Sequence, residues 1–235
     1  MIFKAVSRKA LDMEDNEDHF VIDNLEYNNT EVEGDTNFGF YAVFTGKGSK
    51  ETGIMASNAA AKEVAKVALL NKQARIDSIL NICDGANKAV IGIAIGNALY
   101  NDVTAAMAGL MILYDKFIWF NVGESRVYRL RAHFLRRFSN PVPNAENRRL
   151  TRDNFYLGNK ELTKTSINIG EVEYGVADKD VFFLATEGVF NAINEDMVWR
   201  ILDTKPNIEE ASIALVSEIE SKKPKTSYTF IIVKI

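Results

Sequence analysis

The order in which strand-like and helix-like segments follow one another is the feature that most restricts how this chain can fold. Strands come first, two long apolar helices follow, then a run of strands joined by short turns, then two more helices and a closing strand. Short apolar runs bounded by turn residues indicate strands, and apolar residues at helical spacing indicate helices that pack against a sheet. This order predicts an α+β fold, a four-layer αββα sandwich in which two antiparallel β-sheets are flanked by pairs of helices.

The predicted boundaries follow the apolar runs. Strands are expected over residues 2–6, 20–23, 38–44, 104–113, 117–122, 125–130, 134–138, 163–167, 181–185 and 228–235, and helices over about 52–70, 76–99, 195–202 and 208–221. The polar stretch 24–37, the glycine-containing segment 45–49 and the Arg-rich stretch 140–159 are expected to be irregular. No internal repeat or linker divides the sequence, so residues 1–235 are predicted to form a single domain.

Composition places the chain among globular proteins and argues against some functions. Hydrophobic residues make up 47% and charged residues 26% of the sequence, which is ordinary for a folded chain. The net charge of -4 argues against nucleic-acid binding, which needs a basic surface. A local group of arginines is the exception, and it indicates either a solvated hairpin face or a surface for acidic or phosphorylated partners. Its members are Arg129, Arg131, Arg136, Arg137, Arg148 and Arg149.

The sequence also predicts a cytoplasmic protein without a membrane partner. Its first residues lack the apolar core of a signal peptide, and no run of about 18 apolar residues is present to span a bilayer. The single cysteine, Cys83, excludes a disulfide framework and a thiolate metal cluster. Its apolar helical surroundings predict a position in the core.

Short polar motifs stand at the ends of the predicted strands, far apart in sequence. In chain order they are Asn16-Glu17-Asp18, Val43-Phe44-Thr45-Gly46-Lys47-Gly48, Gly123-Glu124-Ser125-Arg126-Val127-Tyr128, Thr186-Glu187-Gly188 and Thr226-Ser227-Tyr228-Thr229. In this order they resemble the motif series of the phosphatase 2C type of metal-dependent Ser/Thr phosphatases. That series runs Asn-Glu/Gln-Asp, Val-x-Asp-Gly-x-Gly-Gly, Gly-Asp-Ser-Arg, Ser-Asp-Gly and Asp-Asn-x-Thr. The resemblance covers essentially the whole chain, and Gly-Glu-Ser-Arg-x-Tyr is its most specific piece.

The resemblance implies the αββα sandwich and a particular chemistry. The family hydrolyses phosphoserine and phosphothreonine with water activated between two Mg²⁺ or Mn²⁺ ions. Two divalent cations about 4 Å apart need oxygen ligands and carboxylates that offset their mutual repulsion. Carried over to this sequence, the metal positions fall on Glu17, Asp18, Thr45, Gly46, Glu124, Glu187 and Thr226.

Several of these positions have lost what a metal ion needs. Thr45, where the family has the aspartate that bridges both ions, and Thr226 carry no charge. Glu124 and Glu187 keep the charge but add a methylene, which moves the carboxylate by one C–C bond. Both also have a structural interpretation, since Glu124 fits a turn with a local ion pair and Glu187 suits a helix N-terminus. The resemblance therefore implies Mg²⁺ or Mn²⁺ at a degenerate site, or no ion at all.

The position of the family's phosphate-binding arginine is altered as well. With Asn16-Glu17-Asp18 as the match it falls on Met13, and with Met13-Glu14-Asp15 as the match it falls on Ala10. The acidic loop 12–18 admits both registers, so the phosphate-binding residue is unknown. His19 and His133 are isolated, and no catalytic role is expected for either.

The sequence leaves three hypotheses open. The first is a pseudophosphatase, a noncatalytic protein that binds a phosphoprotein, a kinase or another signalling partner. The second is a divergent Mg²⁺- or Mn²⁺-dependent protein Ser/Thr phosphatase in which Glu14, Asp15 or Asp35 replaces a missing ligand. The third is an unrelated αβ scaffold. The loss of charge at Thr45 and Thr226 favours the first.

Overall fold

The structure, a computed structural model, describes residues 1–36, 39–68, 75–95, 100, 103–140 and 155–235. In chain order its strands and helices are β1 (Ile2–Arg8), β2 (Asp18–Ile22), β3 (Leu25–Tyr27), β4 (Glu31–Asp35), β5 (Gly39–Lys47), α1 (Lys50–Ala68), α2 (Ile76–Ala94), β6 (Thr104–Leu113), β7 (Lys116–Val122), β8 (Arg126–Arg131), β9 (Phe134–Arg137), β10 (Asn168–Val172), β11 (Val181–Ala185), α3 (Glu187–Ala192), α4 (Glu195–Thr204), α5 (Ile208–Ser221) and β12 (Tyr228–Lys234).

Within these residues the strands form two six-stranded sheets. The first sheet has the order β4-β1-β12-β11-β8-β9, and the second has the order β10-β7-β6-β5-β2-β3. The strand pairings in both sheets are antiparallel. The prediction of two antiparallel sheets is therefore confirmed.

Alternation along β5 shows how the sequence builds the layers. Phe40, Ala42 and Phe44 face the cluster that packs α1 and α2 on the second sheet. Tyr41 and Val43 point the other way, into the cluster between the two sheets. Because successive side chains of a strand alternate between the two faces of the sheet, an apolar run of this kind can bury both faces.

A third apolar cluster completes the sandwich. It packs α3, α4 and α5 on the outer face of the first sheet, with Phe183 and Phe230 facing the helices. Side-chain caps begin two of these helices, since Asn194 accepts from the N–H of Met197 and Asn207 accepts from the N–H of Glu210. The layers are α–β–β–α, and the predicted fold class is confirmed.

Three local predictions are wrong. Residues 163–167 hold a 3₁₀ turn at Lys164–Ser166, and the strand lies just beyond it as β10. The stretch 24–37 contains β3 and β4 rather than being irregular. β4 is an exposed strand at the sheet edge, so its sequence is polar and lacks the apolar pattern that predicts a strand. Segment 45–49 is not wholly a loop, because β5 continues to Lys47 by pairing with β6.

Other predictions of local structure have mixed outcomes. Cys83 is buried in α2 as expected, and burial raises the pKa of its thiol. The short helix α3 lies outside the boundaries predicted for helices. Some predictions lie outside the described residues: the predicted ends at residues 38, 70 and 99, most of the stretch 140–159, and two of the arginines, Arg148 and Arg149.

No helix in the part of the chain that the structure describes is long and apolar enough to cross a membrane.

Candidate functional site

The first part of the site is the pairing of β2 with β5. Asp18, the first residue of β2, lies opposite Thr45 in the antiparallel register. The backbone N–H of Gly46 donates to the carbonyl oxygen of Glu17 at 3.0 Å. Two motifs that are separate in sequence are thus neighbours in the structure, as a common site requires.

Gly46 is needed at this point of β5 because α1 lies directly on it. A Cβ atom at Gly46 would stand 1.8 Å from the carbonyl oxygen of Gly53 in α1, so no larger residue fits without moving the helix. The close contact fixes the backbone from which Thr45 and Lys47 project.

Asp18 is the buried centre of the site, and it is surrounded by hydroxyl groups. Its side chain is fully buried, and Oδ2 accepts a hydrogen bond of 2.7 Å from Oγ1 of Thr186. Its other oxygen, Oδ1, makes no hydrogen bond of regular geometry within the described residues. Burial raises the pKa of Asp18 to about 6, while the hydroxyls of Thr45, Thr186 and Thr229 and the charge of Lys47 act in the opposite direction.

Thr186 is held in place by the closing strand of the first sheet. Its Oγ1 accepts from the backbone N–H of Thr229 at 3.0 Å, and its own N–H donates to the carbonyl oxygen of Thr229 at 2.9 Å. Two residues further on, a Cβ at Gly188 would lie 1.9 Å from the carbonyl oxygen of Ser227. The start of α3 is therefore locked against the segment that enters β12.

Lys47 joins the remaining acidic residues of the site. Its Nζ lies 3.3 Å from Oε2 of Glu124 and also forms an ion pair with Oε2 of Glu187. Glu124 is buried in the turn between β7 and β8, and Glu187 is the first residue of α3. The Tyr156 ring lies 6.0 Å from the Lys47 ammonium. The structure thus brings Asp18, Glu124 and Glu187 around one lysine.

The entry to β12 contains the predicted position Thr226. Thr226 is exposed in the loop, whereas its neighbour Ser227 is buried. Oγ of Ser227 accepts from the N–H of Glu17 at 3.2 Å and lies 3.8 Å from the sulfur of Met13. Ser227, rather than Thr226, makes the recorded contact with the acidic loop.

The structure distinguishes the two registers of the acidic loop. Asp18 is buried in the site, and Oδ1 of Asn16 accepts from its N–H, whereas Glu14 and Asp15 are exposed. This arrangement favours Asn16-Glu17-Asp18 as the site motif. Met13 then stands at the position of the family's phosphate-binding arginine, and its thioether carries no charge.

These residues do not fit a pair of divalent cations. The residue opposite Asp18 is a neutral threonine, and two of the three carboxylates are paired with an ammonium group. No group of three or more His, Cys, Asp or Glu side chains among the described residues is arranged to hold a metal ion. Hard cations such as Mg²⁺ and Mn²⁺ prefer several oxygen ligands, including carboxylates.

Sequence reasoning missed Lys47, Thr186 and Thr229 as parts of this site. The signal for Lys47 was its position between two glycines, Gly46 and Gly48, in the motif that also contains the site position Thr45. Thr186 directly precedes Glu187, and Thr229 ends the last motif. Only the strand pairing shows that both threonines meet at Asp18.

The two histidines lie outside this chemistry, although His19 follows Asp18 directly. His19 is buried, and its Nδ1 is 3.0 Å from Oγ of Ser57 while its Nε2 is 3.3 Å from Oε1 of Glu26. Burial lowers its pKa to about 4, so the ring is neutral near pH 7. His133 is exposed on the turn after β8.

The arginines of β8 and β9 are partly engaged within the protein. Arg131 forms an ion pair with the buried Asp180, and Arg137 with Glu195. Arg129 donates to the carbonyl oxygen of Gly175 at 2.8 Å, and Arg136 is exposed and stacks on the Phe138 ring at 4.9 Å. These contacts agree only in part with the expected solvated hairpin face.

Exposed aromatic residues adjoin these arginines. Tyr174 precedes Gly175, whose carbonyl also accepts from Arg131, and Val176 donates to the turn that carries Tyr114. Phe134 pairs with Arg131 across the β8–β9 hairpin. Tyr114 and Tyr174 are each 84% exposed and Phe134 is 69% exposed. We call this surface the basic–aromatic face; it comprises Tyr114, Arg131, Phe134, Arg136 and Tyr174.

Comparison with known proteins identifies the fold. The sequence matches no model of a known protein family and no curated protein. The structure is similar to the serine/threonine phosphatase Stp1 from Staphylococcus aureus, with a TM-score of 0.78 and 17% identity over 99% of this chain and 94% of that one. It is also similar to the Mycobacterium tuberculosis serine/threonine phosphatase PstP/Ppp, with a TM-score of 0.76 and 14% identity over 99% of this chain and 98% of that one.

The chain therefore has the fold of bacterial serine/threonine phosphatases, with matches that cover 99% of it, as the resemblance drawn from its motifs predicts. A structure of the catalytic domain of PstP in complex with two manganese ions matches equally well, with a TM-score of 0.76, 14% identity and coverage of 99% of this chain and 98% of that domain. At this level of identity the likeness establishes the fold, and the function has to be argued from the site.

Proposed function

We propose that this chain is a cytoplasmic pseudophosphatase, a phosphatase 2C-like protein that does not hydrolyse phosphate esters and instead binds a phosphoprotein, a kinase or another signalling protein. One observation carries the proposal. The buried Asp18 is surrounded by the hydroxyls of Thr45, Thr186 and Thr229, and the residue opposite it on β5 has no carboxylate.

The chemistry of a metal pair explains why this observation matters. Two divalent cations close together repel each other strongly, and bridging carboxylates offset that repulsion. A threonine hydroxyl is neutral and cannot do so. Without a bound metal ion, water at the site keeps a pKa far above neutral and supplies little hydroxide near neutral pH.

The expected handling of the substrate phosphate is weakened too. Charged donors, arginine above all, recognise phosphate through charge-assisted hydrogen bonds. Met13, at the corresponding position, offers only a thioether that lies beside Ser227. A phosphorylated residue would therefore lack a strong partner at this point of the site.

The basic–aromatic face is our candidate for the partner surface. Arg136 gives it positive charge, whereas the charge of Arg131 is offset by the buried Asp180, and three large aromatic side chains are exposed on it. Aromatic residues and arginine are enriched at protein interfaces. Charge complementarity favours an acidic or phosphorylated protein segment as the partner.

A paired measurement tests the catalytic part of the proposal. We expect calorimetric titration with Mn²⁺ to show no pair of sites, and the protein to leave a phosphothreonine peptide intact in Mn²⁺ or Mg²⁺. Two sites of micromolar affinity together with EDTA-sensitive turnover would contradict it. Thr45→Asp combined with Glu187→Asp and Lys47→Gln is the matched variant, because it introduces the aspartates and removes the ammonium that pairs with Glu124 and Glu187. An unchanged affinity for Mn²⁺ in it would show that the site is assigned to the wrong residues.

The second candidate is a divergent Mg²⁺- or Mn²⁺-dependent phosphatase acting on phosphoserine and phosphothreonine. The observation in its favour is that Asp18, Glu124 and Glu187 still converge on one region. A single ion bound there, with slow hydrolysis abolished by EDTA, is the result that this candidate requires in the same assays.

A further inference from the structure

We propose that the ammonium group of Lys47 serves as a permanent, built-in cation at this site and holds Glu124 and Glu187 together in place of a metal ion. The inference rests on the proposed absence of a catalytic metal pair and explains how the site remains folded without one. It assigns Lys47 a role that the motif comparison does not give it.

The elements that Lys47 connects are far apart in sequence. Glu124 is 77 positions and Glu187 is 140 positions from Lys47 along the chain. Lys47 ends β5 in the second sheet, whereas Glu187 begins the helix that follows β11 in the first sheet. Glu124 occupies the turn from β7 of the second sheet to β8 of the first. The lysine therefore links the ends of both sheets at one point, as a shared metal ion would.

The charges explain why a cation is needed here. The Glu124 side chain is only 9% exposed and that of Glu187 is 26% exposed, so water screens their repulsion poorly. Asp18, the third carboxylate of the site, is fully buried as well. Removing the ammonium would therefore leave the repulsion between Glu124 and Glu187 less well compensated, which destabilises the fold.

The backbone from which Lys47 projects is held in a strand. Gly46 lies directly against Gly53 of α1, where a Cβ atom would be 1.8 Å from the carbonyl oxygen of Gly53. An ammonium that projects from an anchored strand end loses less freedom on pairing than one on a mobile loop. The site is therefore preorganised for this particular cation.

Lys4 offers a matched control because it also joins carboxylates from different parts of the chain. Its Nζ lies 2.9 Å from Glu33, 3.0 Å from Glu209 and 4.0 Å from Glu31, and its own side chain is 11% exposed. The Glu33 and Glu209 side chains are 67% and 51% exposed, so water already solvates them. Lys4 has the same chemistry as Lys47, in a place where a cation is not required.

The experiment compares thermal unfolding of the wild type, Lys47→Gln and Lys4→Gln in EDTA and in millimolar MnCl₂. In EDTA we expect Lys47→Gln to lower the melting temperature by about 5 °C. Mn²⁺ should restore at least about half of that loss, because Glu124 and Glu187 lose the ammonium that they share and Mn²⁺ can take its place. The wild type and Lys4→Gln should show no shift with Mn²⁺. Lys47→Arg, which keeps the charge, should behave like the wild type.

Each other outcome overturns the inference. An unchanged melting temperature in Lys47→Gln shows that no cation is needed, and a loss that Mn²⁺ does not restore makes Lys47 an ordinary ion-pair partner. Equal Mn²⁺ shifts in the wild type and Lys47→Gln show that Lys47 does not occupy the cation position. If Lys47→Gln does not fold in EDTA, refolding in Mn²⁺ replaces the melting readout, and failure to refold there counts against the inference.

The failure of this inference can be told apart from failure of the proposed function. Hydrolysis of a phosphothreonine peptide by the wild type in Mn²⁺ contradicts the pseudophosphatase, whatever the melting temperatures show. Absent hydrolysis together with no Mn²⁺ rescue of Lys47→Gln overturns only the role of Lys47. Adding Glu187→Gln to Lys47→Gln should abolish the rescue, which locates the ion at the expected carboxylates.

Discussion

Two regions of the molecule differ in how they contribute to stability: the interior between the two sheets, and the end of the sandwich where the motifs meet. The interior is mainly apolar, with ring pairs such as Phe117 and Phe182, whose centroids are 4.9 Å apart. The motif end contains a fully buried carboxylate, Asp18, and a lysine that holds two glutamates. The first region stabilises the fold, while the second carries a buried charge that opposes it.

This difference shows how a fold can be kept while its chemistry changes. Many apolar residues share the work of packing the interior, so no single position decides whether the sandwich forms. A metal pair depends on a few carboxylates placed within about 0.5 Å, so one change such as threonine at position 45 removes its basis. The two regions should therefore respond differently to substitution and to pH.

The largest effect is expected from the interior. Phe182→Ala removes a fully buried ring from between the sheets and leaves a cavity, so we expect the free energy of unfolding to fall by about 3–5 kcal/mol. Urea denaturation followed by far-UV circular dichroism measures it. Phe134→Ala is the control, because that ring is 69% exposed and its loss should change stability by about 0.5 kcal/mol or less. Equal losses of stability in both variants would show that packing between the two sheets is not what stabilises the fold.

The next effect concerns the motif end, where replacing the buried residue Asp18 should raise the free energy of unfolding rather than lower it. The pKa of Asp18 is raised from an ordinary value of 3.8 to about 6 in the folded protein, so the folded state holds its proton more tightly than the unfolded state. As pH rises through this interval, the unfolded chain loses the proton first and stability falls. The total loss is roughly 3 kcal/mol and is complete above about pH 6.

Asp18→Asn isolates this contribution because its amide does not titrate. We expect the variant to gain stability relative to the wild type as pH rises from about 4 to about 7, by up to roughly 3 kcal/mol. Urea denaturation at several pH values measures the difference. His19, whose lowered pKa destabilises the fold as pH falls, is common to both proteins and cancels. A difference that stays constant with pH would show that Asp18 does not titrate in this range.

How much could be predicted from the sequence differs between the same two regions. Periodicity located most of the strands and the long helices, because apolar packing leaves a repeated signal along the chain. It missed β4, whose polar residues at a sheet edge carry no such signal, and it placed a strand at 163–167 where the chain makes a turn. Local patterns of this kind cannot show which segment finds a pairing partner.

For the site, motifs located the positions but not the partners. Asp18, Glu124 and Glu187 were named because each stands in a motif at a strand end, and Glu124 and Glu187 meet at one lysine in the structure. Lys47 was overlooked, since a lysine between two glycines resembles a solvated loop residue until the fold places Glu124 and Glu187 beside it. Contacts between residues 77 and 140 positions apart arise from topology, which no local window contains.

The smallest predicted effect tests whether the basic–aromatic face is a functional surface rather than a further part of the scaffold. Arg136 is exposed and contacts the Phe138 ring, so its replacement should affect stability by about 0.5 kcal/mol or less. Arg136→Glu should nevertheless weaken binding of a fluorescent, acidic phosphothreonine peptide by about threefold to tenfold, because it places a like charge at the contact. Fluorescence anisotropy measures the affinity.

Two comparisons separate a specific contact from a general effect of charge. Lys66→Glu changes the net charge by the same amount on α1, in the opposite helical layer, and should leave the affinity unchanged. The unphosphorylated peptide should bind more weakly than the phosphorylated one, since the phosphate adds negative charge that arginine recognises. Equal losses in Arg136→Glu and Lys66→Glu would mean that only net charge matters, and the partner surface would then have to lie elsewhere on the molecule.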